Sequence, residues 1–212
     1  MNAVRKIKIF KEIFTQTLNL ISLYKKFRLP DKKFRLTVPF TLKGNLGEFI
    51  VIIELLKRFP THPIEYRGGA FPGIDIVIDS VKIQVKTQIK NQPKKFKNGI
   101  FDFENSPTIK KSTLDKGKCD ILILVILYPN KNFSKILKQN IYIFDKNDFK
   151  MFSRKFCWSG KSKGDYTIVN VLKVEGTPPK KLKEVIKHYN TSKYKRLFVK
   201  SKANWGKIEK LF

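Results

Sequence analysis

Histidine and cysteine are nearly missing from this chain, with two of each in 212 residues. His62 and His188 have no neighbour at metal-ligand spacing, and Cys119 and Cys157 lack the further ligands that a zinc site needs. Structural zinc and histidine-dependent nucleophilic catalysis are therefore set aside. Any chemistry must rest on carboxylates, amides and lysines. The two cysteines read as core thiols, with a Cys119–Cys157 disulfide as the alternative. Acidic side chains are scarce as well: 17 Asp and Glu stand against 45 Lys and Arg, a formal net charge of +28. So few acids cannot build the balanced ion-pair network through which a lysine-rich surface would serve heat stability. No apolar run reaches bilayer length, and the stretch 121–127 (ILILVIL) is strand length. There is no lipidation motif, and the charged N-terminus has no small-residue cleavage site. An intracellular protein without membrane attachment is expected.

Hydrophobic residues make up 42% of the chain and are evenly spread, enough for a substantial core. The charge exceeds what solubility asks for, and a fold carrying it repels itself. A polyanionic partner explains the excess, and nucleic acid is the natural one. Contact through the backbone is expected over base readout, because no groove-reading helix motif stands out.

Along residues 4–28, Ile7, Phe10, Phe14, Leu18, Ile21 and Tyr24 recur at helical spacing among many lysines. This reads as a packing helix, with a dimer contact or a DNA-facing flank as the other readings. After a basic break from Pro30 to Pro39, the sequence 44–48 (GNLGE) predicts a helix start. Asn45 serves as N-cap and Glu48 as its capping-box partner, and the helix runs to about Arg58. Residues 63–67 predict a strand, and 74–79 and 81–89 a hairpin about an Asp79-Ser80 turn. The stretch 90–118 reads as a long basic loop with a short helix near Ser112. Residues 120–128 predict a strand buried on both faces, as in a parallel sheet. Strands at 140–145 and 165–175, a short helix from Asp148, a helix over 178–189 and a basic tail complete the chain. The expected class is α/β (α+β): one domain, 1–212, with a central mixed β-sheet flanked by helices. Its core would be 44–128, with the 4–28 helix and the basic 150–212 region as additions.

The chemistry concentrates in 73–87 (GIDIVIDSVKIQVKT). The hairpin brings together a carboxylate (Asp75), an amide (Gln84) and an ammonium (Lys86). Gln84 and Lys86 share one strand face because the side-chain period is two. The carbonyl of Val85 lies between them. Oxygen ligands beside a lysine suit a divalent cation next to a phosphate. Taken singly, Asp75 and Lys86 also read as a cross-strand ion pair, and Glu48 as a plain cap partner. Gln88, next on the same face, is a weaker candidate for the rim.

The order of a helix with Glu48, a strand, Asp75, then 84–86 (QVK) and a crossover into a buried strand resembles the PD-(D/E)XK nuclease superfamily. The small size, basicity and glycine-flanked helix start are most similar to archaeal Holliday junction resolvases and related archaeal viral nucleases. The resemblance covers roughly residues 44–128. It implies a restriction-endonuclease-like core and Mg²⁺- or Mn²⁺-dependent cleavage of DNA, branched or otherwise structured, with no small-molecule cofactor. It also implies a homodimer. By position, Asp75, Glu48, Gln84 and the Val85 carbonyl would hold the metal, and Lys86 would act on the nucleophile or on developing charge. Gln84 stands where the family has Asp or Glu. An amide brings oxygen without charge, which weakens metal binding and favours a non-catalytic DNA-binding protein on the same fold as the alternative. Lys90, Lys94, Lys95, Lys97 and Arg67 would contact nucleic acid.

Overall fold

A computed structural model of the chain describes residues 2–26, 40–68, 73–90, 94–96, 99–109, 118–152, 166–176, 183, 187 and 191–212, with backbone alone over 25–26, 40, 94–96, 99–109 and 166–176. The hairpin forms as its alternation requires. Strands β2 (Ile76–Ile78) and β3 (Val81–Ile89) pair antiparallel, Ile76 opposite Ile83 and Ile78 opposite Val81. Asp79 takes the left-handed backbone (φ 52°) that closes the turn, a conformation its short polar side chain tolerates. Strand β1 (Ile64–Tyr66) pairs antiparallel with β2.

After a crossover, β6 (Ile121–Pro129) runs parallel to β3, and β7 (Ile136–Asp145) returns antiparallel to β6. The sheet is mixed, in the order β1-β2-β3-β6-β7. Every residue from Ile121 to Leu127 is buried, which explains the unbroken apolar run at its centre.

Two helices cover one face: α1 (Ala3–Lys26) and α2 (Phe40–Arg58). Leu18, Ile21, Leu46, Leu55, Ile76, Ile83, Val85, Ile123 and Ile143 belong to one buried cluster. The opposite face carries an aromatic layer in which Tyr142 and Phe144 meet Phe198 and Phe152 at centroid distances of 5.0 and 5.1 Å. These come from beyond helix α3 (Lys146–Phe149) and from α4 (Ser192–Ser201). The result is a mixed five-stranded sheet flanked by helices, as expected, and consistent with a nuclease-like core.

Four expectations change. Helix α2 starts at Phe40, so Asn45 is interior and Glu48 is not its capping partner. Leu42 and Leu46 lie one turn apart on the core face, and their burial carries the helix past the local cap signal. The stretch 90–118 is not a structureless loop. It holds β4 (Lys94–Phe96) and β5 (Gly99–Ile109), which pair with β8 (Tyr166–Gly176) in a second, three-stranded sheet. The short helix at 146–149 is capped by Asp145, with Asp148 inside its first turn as the capping-box partner. The basic tail is built into the fold: α4 and α5 (Gly206–Glu209) pack there, and Trp205 and Ile208 join the main core. Lys207 Nζ donates to the Ile143 carbonyl (3.0 Å) and Ser201 Oγ (3.1 Å), and pairs with Asp148. Cys119 is buried. Cys157, the helix near Ser112 and most of the 178–189 helix lie outside the described residues, of which 183 and 187 are helical. No helix among the described residues is long and apolar enough to cross a membrane.

Gly47 does packing work. Thr87 Oγ1 donates to the Gly44 carbonyl at 2.8 Å, and a Cβ at Gly47 would clash with that hydroxyl. Alanine in a helix normally stabilises relative to glycine, but here the contact reverses the sign. Gly47→Ala should cost about 1–3 kcal/mol in urea unfolding. Thr87→Ala in the same chain should recover part of that loss, because it removes the hydroxyl from the clash.

Candidate active site

Strand β2 is only three residues long, whereas β3 continues for six residues past its last β2 partner, Ile83. From Gln84 onward the edge of β3 on the side away from β6 has no β2 partner, and this unpaired edge is the notch of the site. Peptide groups of alternate strand residues point to the same edge. The Ile83 carbonyl accepts from Asp75 N at 2.9 Å, so the Val85 N–H and C=O also point into the notch. There Asp75 Oδ2 accepts the Val85 N–H at 2.7 Å. The side chain has taken over where the ladder stops.

Gln84 is directly opposite Asp75 across the hairpin. Its Nε2 donates to Asp75 Oδ2 at 2.5 Å and approaches the Val85 carbonyl at 3.4 Å. Asp75 is 7% exposed and Gln84 4%. The amide donor thus sits between two oxygens that the sequence marks as metal ligands. Lys86, half-buried, follows on the same face of β3.

Glu48 comes from α2. Its Oε2 accepts from the Tyr66 hydroxyl at 2.7 Å, and Tyr66 is wedged edge-on against Phe10 and Phe49. Sequence reasoning missed Tyr66. Its only local signal is a place within the predicted first strand, because the bond to Glu48 depends on how α2 crosses β1.

Burial pushes both carboxyls above their ordinary pKa. For Asp75, burial outweighs the Val85 N–H, Lys86 and Gln84, which all favour the charged form. For Glu48, burial and the Asp75 charge outweigh the Tyr66 hydroxyl and Lys86. Glu48, Asp75 and Lys86 therefore share one field. The hydroxyl of Tyr66 is pushed up by burial and by Glu48. Burial and the nearby Asp120 push the Cys119 thiol up to about 12, which keeps it an inert core group.

The nucleic-acid candidates separate. Arg67 pairs with Glu65 at 2.9 Å, and its backbone N–H bonds the Asp75 carbonyl. Lys90 ends the Gln84–Lys86–Gln88 row, with Nζ 5.8 Å from the centre of the Tyr128 ring. Lys94 and Lys95 lie on β4, of which the backbone alone is described, and Lys97 lies outside the described residues.

Among the described residues, no three His, Cys, Asp or Glu side chains cluster as a metal site. A cation at the notch would rest on two carboxylates and neutral oxygens. That donor set fits a hard divalent ion: Asp75, Glu48 and the Val85 carbonyl supply oxygen, and a cation would offset the cost that burial sets on ionising the two carboxyls.

No protein-family model matches the chain, and no curated protein matches it. Among solved structures, it is similar to a bacterial homing endonuclease, I-Ssp6803I. Identity is 13% and the TM-score 0.39, over 82% of this chain and 94% of that one. A likeness at that level fixes neither fold nor function.

Burial raises the Asp75 pKa in the folded chain, so the cost of its charge is full above the raised value and gone below the unfolded one. Asp75→Asn should raise the melting temperature at neutral pH by about 2–4 °C. The gap to the native chain should close as pH falls through the carboxylate range, which thermal melts from neutral to acid pH will read.

Proposed function

We infer that this protein is a metal-dependent nuclease that hydrolyses phosphodiester bonds in DNA. One observation carries the reading: Asp75, Gln84 and Val85 meet at the end of a truncated strand, with Lys86 and Glu48 in the same field. The basic chain around them supplies the attraction to a polyanion.

Asp75, Glu48 and the Val85 carbonyl would hold Mg²⁺ or Mn²⁺. Rotation of the Gln84 amide would turn its oxygen into the same space. When bound, such an ion lowers the pKa of a water and offsets charge on the phosphate. Lys86 holds the attacking water or donates to a phosphate oxygen as charge develops. Tyr66 fixes the Glu48 carboxylate. The finer expectations, a branched substrate and a homodimer acting on two strands, belong to this reading through the resemblance alone.

A second reading has its own observation. The Gln84 amide nitrogen already contacts the two oxygens a cation would need, which suits a DNA-binding protein that cuts nothing. Cleavage separates the two. Supercoiled plasmid, linear duplex and a four-way junction are incubated with Mg²⁺ or Mn²⁺. Cleavage that falls by about 10² or more in Asp75→Ala and in Lys86→Ala supports the nuclease. DNA binding that persists without cleavage under either metal supports the second reading. Binding itself should weaken by about 10³–10⁵ between 50 and 200 mM salt if about 6–10 phosphates are contacted.

Gln84→Glu puts a formal charge at the position where the resembled family has an acid. Calorimetric titration with Mn²⁺ should then show at least about tenfold tighter binding than the native chain. Unchanged affinity would place the side chain outside the ligand set.

A further inference from the structure

Helix α1 carries two apolar stripes, and the core uses one. Ile7, Phe10, Phe14, Leu18 and Ile21 pack against the core. Ile9, Ile13, Leu20 and Leu23 stand outward, 42%, 39%, 41% and 47% exposed. With exposed Gln16 they step by four, three, four and three residues, the spacing of a helix-pairing seam. A lone exposed leucine means little. What gives this row content is its spacing and the charge around it. Residues 13–24 contain no charged side chain, in a chain where 29% of residues are charged. Arg5, Lys6, Lys8 and Lys11 lie before the gap, and Lys25 and Lys26 after it.

We propose that this strip is where two copies of the chain meet, α1 against α1, antiparallel across a two-fold axis at Gln16. Charge selects the occupant. Two chains of +28 can approach only where no cation faces another. Nucleic acid would seek lysines, and the strip has none for a phosphate. An acidic protein likewise finds nothing there to pair with. The row is also symmetric about its centre. Ile9 and Leu23 are each seven residues from Gln16, and Ile13 and Leu20 three and four. Reversal sets Ile9 against Leu23, Ile13 against Leu20, and Gln16 against its own copy, as an isologous contact requires. Gln16 Nε2 donates to Glu12 Oε1 at 2.7 Å, and its amide oxygen and second amide hydrogen are the groups the second Gln16 would meet. A polar residue in mid-seam sets register at some cost in affinity.

The seam is about 21 Å long at about 1.5 Å per residue, so the dimer is small and reversible. The lysines beyond both ends oppose it, and salt screens them. Association between copies therefore tightens with salt, the reverse of nucleic-acid binding. The nuclease reading supplies a homodimer but no surface for it; the surface is argued from α1 alone, so its failure leaves the cleavage test untouched.

Sedimentation velocity of the full chain over a range of concentrations, at low and high salt, tests it. A monomer–dimer equilibrium that tightens with salt is expected. Leu20→Lys should weaken it at least about tenfold while the melting temperature holds, and Leu20→Met should leave it intact. Under oxidation, Gln16→Cys should cross-link to its own copy through a peptide containing position 16. Val4→Cys, 76% exposed and far from the axis, should not. A chain that stays monomeric throughout overturns the proposal, as does a dimer indifferent to both Leu20→Lys and Ile13→Lys. A Val4→Cys cross-link overturns the antiparallel arrangement. A monomer whose Gln16→Cys thiol resists a soluble thiol reagent overturns it too, since another part of the chain then covers the strip.

Discussion

The Val85 N–H, left without a strand partner where β2 stops, is the group on which the site depends. A buried backbone donor must be satisfied. The Asp75 carboxylate does this at 2.7 Å, and in doing so fixes its own position against β3. The Val85 carbonyl belongs to the next peptide, and the extended strand turns it to the same edge. Gly68 (φ 54°) and Gly73 (φ 89°) sit on either side, where the chain leaves β1 and approaches Asp75 in backbone conformations that glycine adopts freely. The Asp75 carbonyl in turn accepts from the backbone of Arg67 and Gly68. One truncated ladder thus sets the carboxylate, the amide opposite it and the open carbonyl together.

The parts of the fold that were legible in the sequence are those where local pattern and burial agree. Apolar patterning through 74–85 gave the hairpin, and the unbroken 121–127 run gave the central strand, buried at every position. Where tertiary packing opposes local signals, the reading failed. Asn45 looks like a cap, yet Leu42 and Leu46 gain more by burial than a cap would supply. Strand β5 was hidden by Pro107, which normally argues against a strand. The pairing with β8 absorbs it in a register shift between Asn105 and Thr108. The alternation of Phe101, Asp102, Phe103 and Glu104 was the signal that could have been followed. In the site, the Asp75–Gln84 pairing follows from hairpin register, but the Tyr66–Glu48 bond joins positions 18 apart through a helix crossing. No sequence period encodes such a crossing.

The electrostatics of the notch run against those of the chain. At +28 overall, a carboxylate on this protein should be held ionised by its surroundings. Asp75 and Glu48 are instead raised, because loss of water outweighs the surrounding donors and Lys86. Long-range positive charge, screened over about 8–10 Å, does not substitute for a partner at contact distance. The basic surface and the acidic notch are therefore separate devices. One gathers a polyanion, and the other holds charge that only a close cation or a proton can offset.

Gln84 is best understood from that imbalance. An acid in its place would add a third carboxylate beside one that is buried and one that is half-buried, both already costly to ionise. The amide avoids this. Its nitrogen donates to Asp75 and lies near the Val85 carbonyl, so the notch is satisfied by the chain itself. Half a turn of the same group presents oxygen instead. Substituting amide for acid thus trades cation affinity for a site that is stable without one. Whether the chain cuts or only binds then depends on one difference: the gain from a cation's contacts with Asp75, Glu48 and Val85, set against the loss of the short Gln84–Asp75 hydrogen bond. Both sides of that difference are charge-assisted interactions of a few kcal/mol. That is why this one residue divides the two functional readings.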